Sequence, residues 1–368
     1  MNTLYHTQAY LSSIRFGVTH TTAKFITNYF IQNKQTFDTI DMIWYNIHMK
    51  NPLVMEPGRV VQWQDFVKEA PQFSLAIDGY VPGRNNYHII GDKAPIASID
   101  HHKGVDRIGT GATCKQVLDH LRLGLRGTYD QNGIYVITPF ANDCDEDVCT
   151  SDWLLGHPEM VESTNANPAI NRLVGVESNL DVTGGLYPYD KDMAFLGTLK
   201  AIFRPYKYFR NNGGLEERDP QQYLTVVSDV GRRITDYVIG NPIQPEQLDP
   251  EFEVLRVGDG WSLLHEVGED ARMGIGASDI KAFISVVETD QVGVYKYTLA
   301  KKSPFVRFPI EELYDYLNIH DPAVSDNNFW SGSDTIGGSP RSTGSMLAPD
   351  NLFDLVQSYI TDQQAAQQ

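Results

Sequence analysis

The sequence predicts an α/β fold in which a parallel-sheet domain is followed by a smaller, more β-rich α/β domain. Three observations carry this expectation. In the first half, short apolar runs that end in polar or acidic residues alternate with helical stretches or loops, the rhythm of a parallel sheet. Near residue 252 the pattern changes to closely spaced β-type runs. A chain of 368 residues with 41% hydrophobic content is also long enough to bury two cores.

The first domain is expected over residues 1–160. Its candidate strands are 14–19, 39–45, 73–77, 95–99 and 133–138, and its candidate helices are 23–32 and 112–123, the second opening after Gly109-Thr110-Gly111. Residues 161–248 read as a helical connecting segment with a break at Asn211-Asn212-Gly213-Gly214. The second domain, 249–368, carries candidate strands at 252–257, 261–267, 280–288 and 293–299, with turns at Gly258-Asp259-Gly260 and Thr289-Asp290-Gln291. Residues 320–345 are rich in Ser, Gly and Asp and predict a long functional loop. The final seven residues have little to bury and are expected to fray.

A formal charge of −17 argues against a broad basic surface tracking long duplex nucleic acid, because that binding needs many cationic contacts. A small phosphate-containing ligand or a short single-stranded oligonucleotide in a local pocket stays compatible with it. Cys114, Cys144 and Cys149 form an odd set without C-x-x-C spacing, which points to reduced thiols rather than a disulfide scaffold or a cysteine zinc site. No apolar run reaches the ~18–20 residues that span a bilayer, and no basic-then-apolar leader opens the chain. The expectation is a cytoplasmic protein with no membrane partner; a homodimer is left open.

The sharpest local feature is Ser98-Ile99-Asp100-His101-His102-Lys103, which follows an apolar strand and places a carboxylate, two imidazoles and an ammonium in one bend. Carboxylate and neutral imidazole ligate divalent metals such as Mn²⁺, and a second histidine with a lysine can neutralise phosphoryl oxygens. A solvated turn is the competing reading. Asp78 ends the preceding apolar strand and would lie beside Asp100 on adjacent parallel strands, at the strand ends where open sheets collect ligands. An acidic residue there can equally cap a helix or turn.

Strand-Asp followed by strand-Asp-His-His-Lys resembles the DHH phosphoesterase superfamily, and Ile336-Gly337-Gly338-Ser339-Pro340-Arg341-Ser342-Thr343-Gly344 resembles the glycine-rich loop of its DHHA1 domains. The likeness covers about residues 14–155 and 250–355. It implies a DHH-like domain and a DHHA1-like substrate-holding domain across a cleft, with a metal site drawn from His20, Asp78, Asp100, His101 and Asp143. Asp143 follows Asn142 as the family's later aspartate does, with Asp145, Glu146 and Asp147 as neighbouring alternatives. Gly337, Gly338, Ser339, Arg341 and Lys301 would hold substrate, the glycines by close backbone approach and Arg341 by a bidentate clamp. His102, Lys103 and Lys24 would carry the catalytic charges.

The chain departs from the family pattern in its first motif. Val18-Thr19-His20-Thr21-Thr22-Ala23-Lys24 keeps the histidine but has Thr22 and Lys24 where two aspartates belong, a formal change of +3. Two divalent ions about 4 Å apart need compensating carboxylates, so one ion is expected rather than two, with the Lys24 ammonium as an alternative fixed charge. Ser339 stands where the second loop has histidine, and Ala300 where the preceding strand has arginine; Lys301 or Lys302 would compensate. The resemblance implies a phosphoesterase acting on a short oligonucleotide, a cyclic nucleotide or another small phosphate ester. The alternative is a degenerate relative that binds nucleotide or phosphate without turnover.

Overall fold

The computed structural model describes residues 51–92, 94–162, 166–190, 192–289 and 291–366. The candidate strands 14–19 and 39–45, the candidate helix 23–32, and His20, Thr22 and Lys24 lie outside these residues. The described part is mixed α/β with two main sheets. The first contains β1 (Val54–Met55), β2 (Ser74–Ile77), β3 (Asn86–His88) and β4 (Ile96–Ile99); β5 (Asp130–Gln131) and β6 (Ile134–Tyr135) form a separate hairpin, and β7 (Thr138–Ala141) returns to the first sheet. The order is β1-β7-β2-β4-β3, parallel throughout except for the antiparallel edge strand β3.

β2 and β4 are buried along their whole length, as continuous apolar strands of a parallel sheet are. Their register pairs Ile77 with Ile99, so Asp78 and Asp100 leave the sheet side by side. Residues 133–138 do not form one strand. The sheet strand starts at Thr138 and runs through Pro139, although proline has no N–H to give a ladder.

Four helices follow or flank the strands of this sheet. They are α1 (Trp63–Glu69), α2 (Thr113–Arg122), α3 (Glu146–Gly156) and α4 (Pro168–Val182), of which α2 buries Cys114, Val117, Leu118 and Leu121 on one face. Asn167 caps α4 by accepting from the Ala169 N–H, and Pro168 fills its first turn, where a missing N–H costs nothing. The long helices α5 (Ala194–Asn211) and α6 (Pro220–Val238) follow and pack on each other. Among the described residues no helix is long and apolar enough to cross a membrane.

The second sheet is built from β8 (Phe252–Val257), β9 (Ser262–Glu266), β10 (Ala282–Glu288), β11 (Tyr295–Lys301), β12 (Ser331–Gly332) and β13 (Ile336–Gly338), in the order β12-β13-β11-β10-β9-β8. The expected long loop at 320–345 therefore contributes two short strands. With α7 (Ala271–Ala277), α8 (Ile310–His320) and α9 (Pro349–Ala366) the sheet has two different faces. One buries Leu263, Ile284, Val286, Tyr297 and Leu299 under α8 and α9. The other carries Leu264, Phe283 and Ala300 against Leu186 and Ile275. Within the tail, α9 continues to Ala366; Gln and Ala are good helix formers and Ile360 anchors the helix in the core.

Gly337 faces α8, where an added Cβ would overlap the Tyr314 hydroxyl. Gly337→Ala is expected to destabilise the protein by about 1–3 kcal/mol through overpacking. Adding Tyr314→Phe, which removes the opposing oxygen, should recover part of that loss. Urea titrations of the two single variants and the double variant check this, and strictly additive losses would count against the contact.

Candidate metal centre

The site begins where β2 stops. Asp78 adopts a left-handed backbone conformation with φ 46°, as does Gly79 after it, so the chain turns sharply and the Asp78 side chain is held at the sheet end. Its N–H stays in the ladder by donating to the Ile99 carbonyl at 3.1 Å, and Oδ1 accepts from the Thr113 hydroxyl at 3.1 Å.

Next to it the His101 ring is fully buried. Its Nε2 lies 3.2 Å from Asp78 Oδ1, 3.2 Å from Asp181 Oδ2 and 3.5 Å from Asp147 Oδ2. The ring is not aligned to donate a hydrogen bond to any of the three, and Nδ1 has no partner among the described residues. Metal–ligand bonds of ~2.1 Å place neighbouring donor atoms ~3.0 Å apart in an octahedron and ~3.4 Å apart in a tetrahedron. The two spacings of 3.2 Å fall in that range and the 3.5 Å spacing lies just above it. Two overlapping triads, His101 with Asp147 and Asp181 and Asp78 with His101 and His102, could hold a metal ion.

Each surrounding carboxylate has a second task. Asp147 accepts from the Thr113 N–H at 2.7 Å and the Cys114 N–H at 2.6 Å, closing the N-terminus of α2 from α3. Asp181, on the last turn of α4, is held by Arg107 Nη2, which reaches both carboxylate oxygens at 3.3 Å and the Asp181 carbonyl at 3.2 Å. Arg107 Nε is buried without a partner among the described residues.

Asp100 is placed differently. Its oxygens accept from the N–H groups of Gly79 at 2.9 Å, Gly83 at 2.7 Å and His102 at 3.1 Å, and from His102 Nδ1 at 2.8 Å. It therefore pins the loop after β2 and aims His102, whose ring is partly exposed. Lys103 is exposed on the next turn. Asp143 accepts from the Cys144 N–H and belongs to neither triad; Asp145 caps α3 by accepting from the Val148 N–H.

The charges respond to this crowding. Burial alone would raise the Asp78 carboxyl, but contact with His101 and the charge of His102 bring it down to about 2. Burial and the charges of Asp78 and Asp181 push Asp147 up to about 7. Burial likewise raises Asp181 and drives Asp145 and Glu177 well above the carboxylate range. His102, despite burial, is raised to about 9 by Asp100 and Asp78.

The sequence-selected residues thus divide. Asp78, His101 and His102 come together, Asp100 orients His102, and Asp143 stands outside. Asp147 was only an alternative in the sequence, and Asp181 was missed because it lies on a helix taken as a connector. Its signal is the pair Glu177 and Asp181, four residues apart on the helix face that also buries Ile170, Leu173 and Val174. Around the second sheet, Ser339 Oγ accepts from the Tyr297 N–H, Lys301 donates to the Phe308 carbonyl on the α8 and α9 side, and Arg341 is exposed.

Fold and site define a class: an α/β protein with a buried carboxylate–imidazole cluster that could hold a metal ion. Comparison with protein-family models, curated proteins and solved structures gives no match in any of the three.

The pH dependence follows from the shifts. Asp147 binds its proton more tightly folded than unfolded, so its contribution to stability is full below ~3.9 and is lost as pH rises through about 7. His102 acts in the same sense, its contribution being full below ~6.5 and lost as pH rises through about 9. A cation needs deprotonated carboxylates and opposes the first loss. Metal-stripped protein should therefore melt lower at about pH 8 than at about pH 5.5, and Mn²⁺ should raise Tm more at the higher pH. Differential scanning fluorimetry checks this; equal Mn²⁺ increments at both pH values would argue against a carboxylate-lined cation site.

Proposed function

We propose that this chain is a metal-dependent phosphoesterase acting on a short oligonucleotide, a cyclic nucleotide or another small phosphate ester, with a single divalent ion, Mn²⁺ first among candidates. The observation that carries the reading is the triad of His101, Asp147 and Asp181, whose ligand atoms all lie within 4.8 Å of one another, with Asp78 Oδ1 3.2 Å from the same buried Nε2. An oxygen-rich donor set with one imidazole suits a hard to borderline divalent cation. When bound there, such an ion supplies Lewis-acid charge at the phosphoryl oxygens and lowers the pKa of an attacking water.

The chain's own residues do the rest. His102, raised to about 9, is cationic at neutral pH and stands at the open side of the cluster, where it can hold a phosphoryl oxygen or give a proton to a leaving oxygen. Asp100 fixes the ring by Nδ1 and leaves Nε2 for that task. Lys103 on the exposed turn adds a positive charge for an incoming phosphate. The arrangement of a DHH-like domain and a DHHA1-like domain belongs to this reading, supported by the Asp-His-His bend at the sheet end and the Gly-Gly strand of the second sheet.

Binding without turnover is the second reading, and Thr22 and Lys24 in the first motif favour it, since they supply no carboxylate for a second ion. Metal content of the purified protein, followed by hydrolysis of bis(p-nitrophenyl) phosphate, a 5′-phosphorylated dinucleotide and a cyclic dinucleotide with Mn²⁺, tests both. His101→Asn should abolish Mn²⁺ binding and turnover. Asp100→Asn should keep the metal and lower kcat by roughly 10–100-fold, the usual cost of losing an orienting partner. A wild type without turnover on any of the three would leave the binding reading, and one that takes up no divalent ion would overturn the metal-dependent phosphoesterase.

A further inference from the structure

The second sheet holds a built polar shelf on the face turned away from α8 and α9. Alternation along the strands puts Glu266 on the same face as Leu264, Ser285 with Phe283, Thr298 with Ala300, and Gly338 with Ile336. The register lines these up across the sheet, Ser285 opposite Thr298 and Thr298 opposite Gly338. Above the row, on α7, stands Arg272.

Its guanidinium is fixed at two corners. Nε lies 3.4 Å from Glu266 Oε1, and Nη2 donates to the Thr298 hydroxyl at 2.8 Å. Glu266 in turn accepts from the Ser285 hydroxyl, whose residue is buried, so its carboxylate is itself held in place. Nη1 has no hydrogen-bond partner among the described residues, and the Arg272 side chain keeps 39% of its surface exposed. Beside Thr298 lies Gly338, which puts no side chain over the shelf. Lys296, two residues along β11 on the same face, is exposed and adds a second positive charge.

The shelf also adjoins the helix that carries Asp181. After α4 the chain turns through Gly184 and Gly185, with the Gly184 N–H donating to the Asp181 carbonyl at 2.9 Å and the Gly185 N–H to the Leu180 carbonyl at 2.7 Å. An added Cβ at Gly185 would come within 3.3 Å of Arg272 Cβ, and one at Gly184 would overlap Ile336. Four residues of chain span at most ~14 Å and the step from Gly185 to Arg272 adds about 6 Å, so the backbone at Arg272 lies within about 20 Å of Asp181.

We infer that Arg272, with Thr298 and Lys296, forms an anion subsite that takes a phosphoryl group of a small nucleotide-type ligand. The two anchored corners leave the guanidinium plane preset, so little side-chain entropy is lost when an oxyanion meets the open edge. Taken with the metal-centre reading, on which this extension rests, the subsite selects ligands with a second phosphoryl group set apart from the one at His101. The anion subsite itself stands without the metal.

The test uses the full chain in EDTA at low ionic strength, with AMP, inorganic phosphate and adenosine as probes in calorimetric titrations. Wild type should bind AMP and phosphate but not adenosine, and Arg272→Gln should weaken AMP binding at least tenfold, with Arg272→Lys in between. Because Arg272→Gln leaves Glu266 without its cation, the double change Glu266→Gln, Arg272→Gln serves as the variant that keeps the shelf neutral, and melting temperatures confirm that each folds. Absence of AMP binding to wild type, equal affinity in the folded Arg272 variants, or equal binding of adenosine overturns the subsite. Mn²⁺ binding is measured separately on the same proteins: its loss in wild type would defeat the metal reading alone, whereas Arg272→Gln should leave it within twofold.

Discussion

Three carboxylates share one imidazole nitrogen, and a ring nitrogen has at most one hydrogen to give them. Like charges about 6 Å apart repel by roughly 3 kcal/mol at an effective dielectric of about 20, so the cluster persists only if protons or a cation neutralise part of it. That demand reaches into the surrounding architecture. Asp147 joins α3 to the start of α2, Asp181 joins α4 to Arg107, and Asp78 with Asp100 ties the ends of β2 and β4 to the loop above them. Moving any one of these side chains would unpair backbone groups elsewhere, which is how a charged cluster of this kind is held against its own repulsion.

The same economy of position separates the two glycines of β13. Successive residues of a strand point to opposite faces. Gly337 faces the α8 core, where the Tyr314 hydroxyl fills the space a side chain would need, while Gly338 lies in the row of Thr298 and Ser285 on the other face. A Gly-Gly pair read as one ligand-holding loop is thus, residue by residue, two packing requirements, since a Cβ at Gly338 would come within 2.7 Å of the Tyr297 carbonyl oxygen. Lys301 shows the same alternation: one step from Ala300, it points to the Phe308 carbonyl and away from the shelf.

How much could be read in advance follows from where each residue sits. Asp78, Asp100, His101 and His102 were legible because two short apolar runs end in them, and a parallel register brings such ends together whatever the intervening chain does. Asp147 and Asp181 were not, because helix-borne ligands depend on the rotation and tilt of α3 and α4, which sequence periodicity leaves free. Asp143 had the expected spacing after a strand. The strand, however, begins at Thr138 and runs through Pro139, and the turn after it sends Asp143 to the Cys144 N–H instead. The β-rich shift near residue 252 was legible from alternation. The helix through the glutamine-rich tail was hidden because low apolar content says little when propensity is high and one face still packs.

Charge balance bears on how many ions the proposed centre would take. Asp78, Asp100, Asp147 and Asp181 carry four negative charges when deprotonated, and His102 and Arg107 carry two positive ones. The remaining deficit of two is met by one divalent ion, and a second would leave the buried cluster with a net charge of +2. In the proposed DHH-like reading, Thr22 and Lys24 take the places of two aspartates that would offset that excess. A centre neutralised by one ion has no surplus charge for an incoming phosphate dianion, so cations outside the ligand set must supply it. Lys103 on the exposed turn is one such cation, and in the proposed subsite Arg272 and Lys296, offset in part by Glu266, would be others.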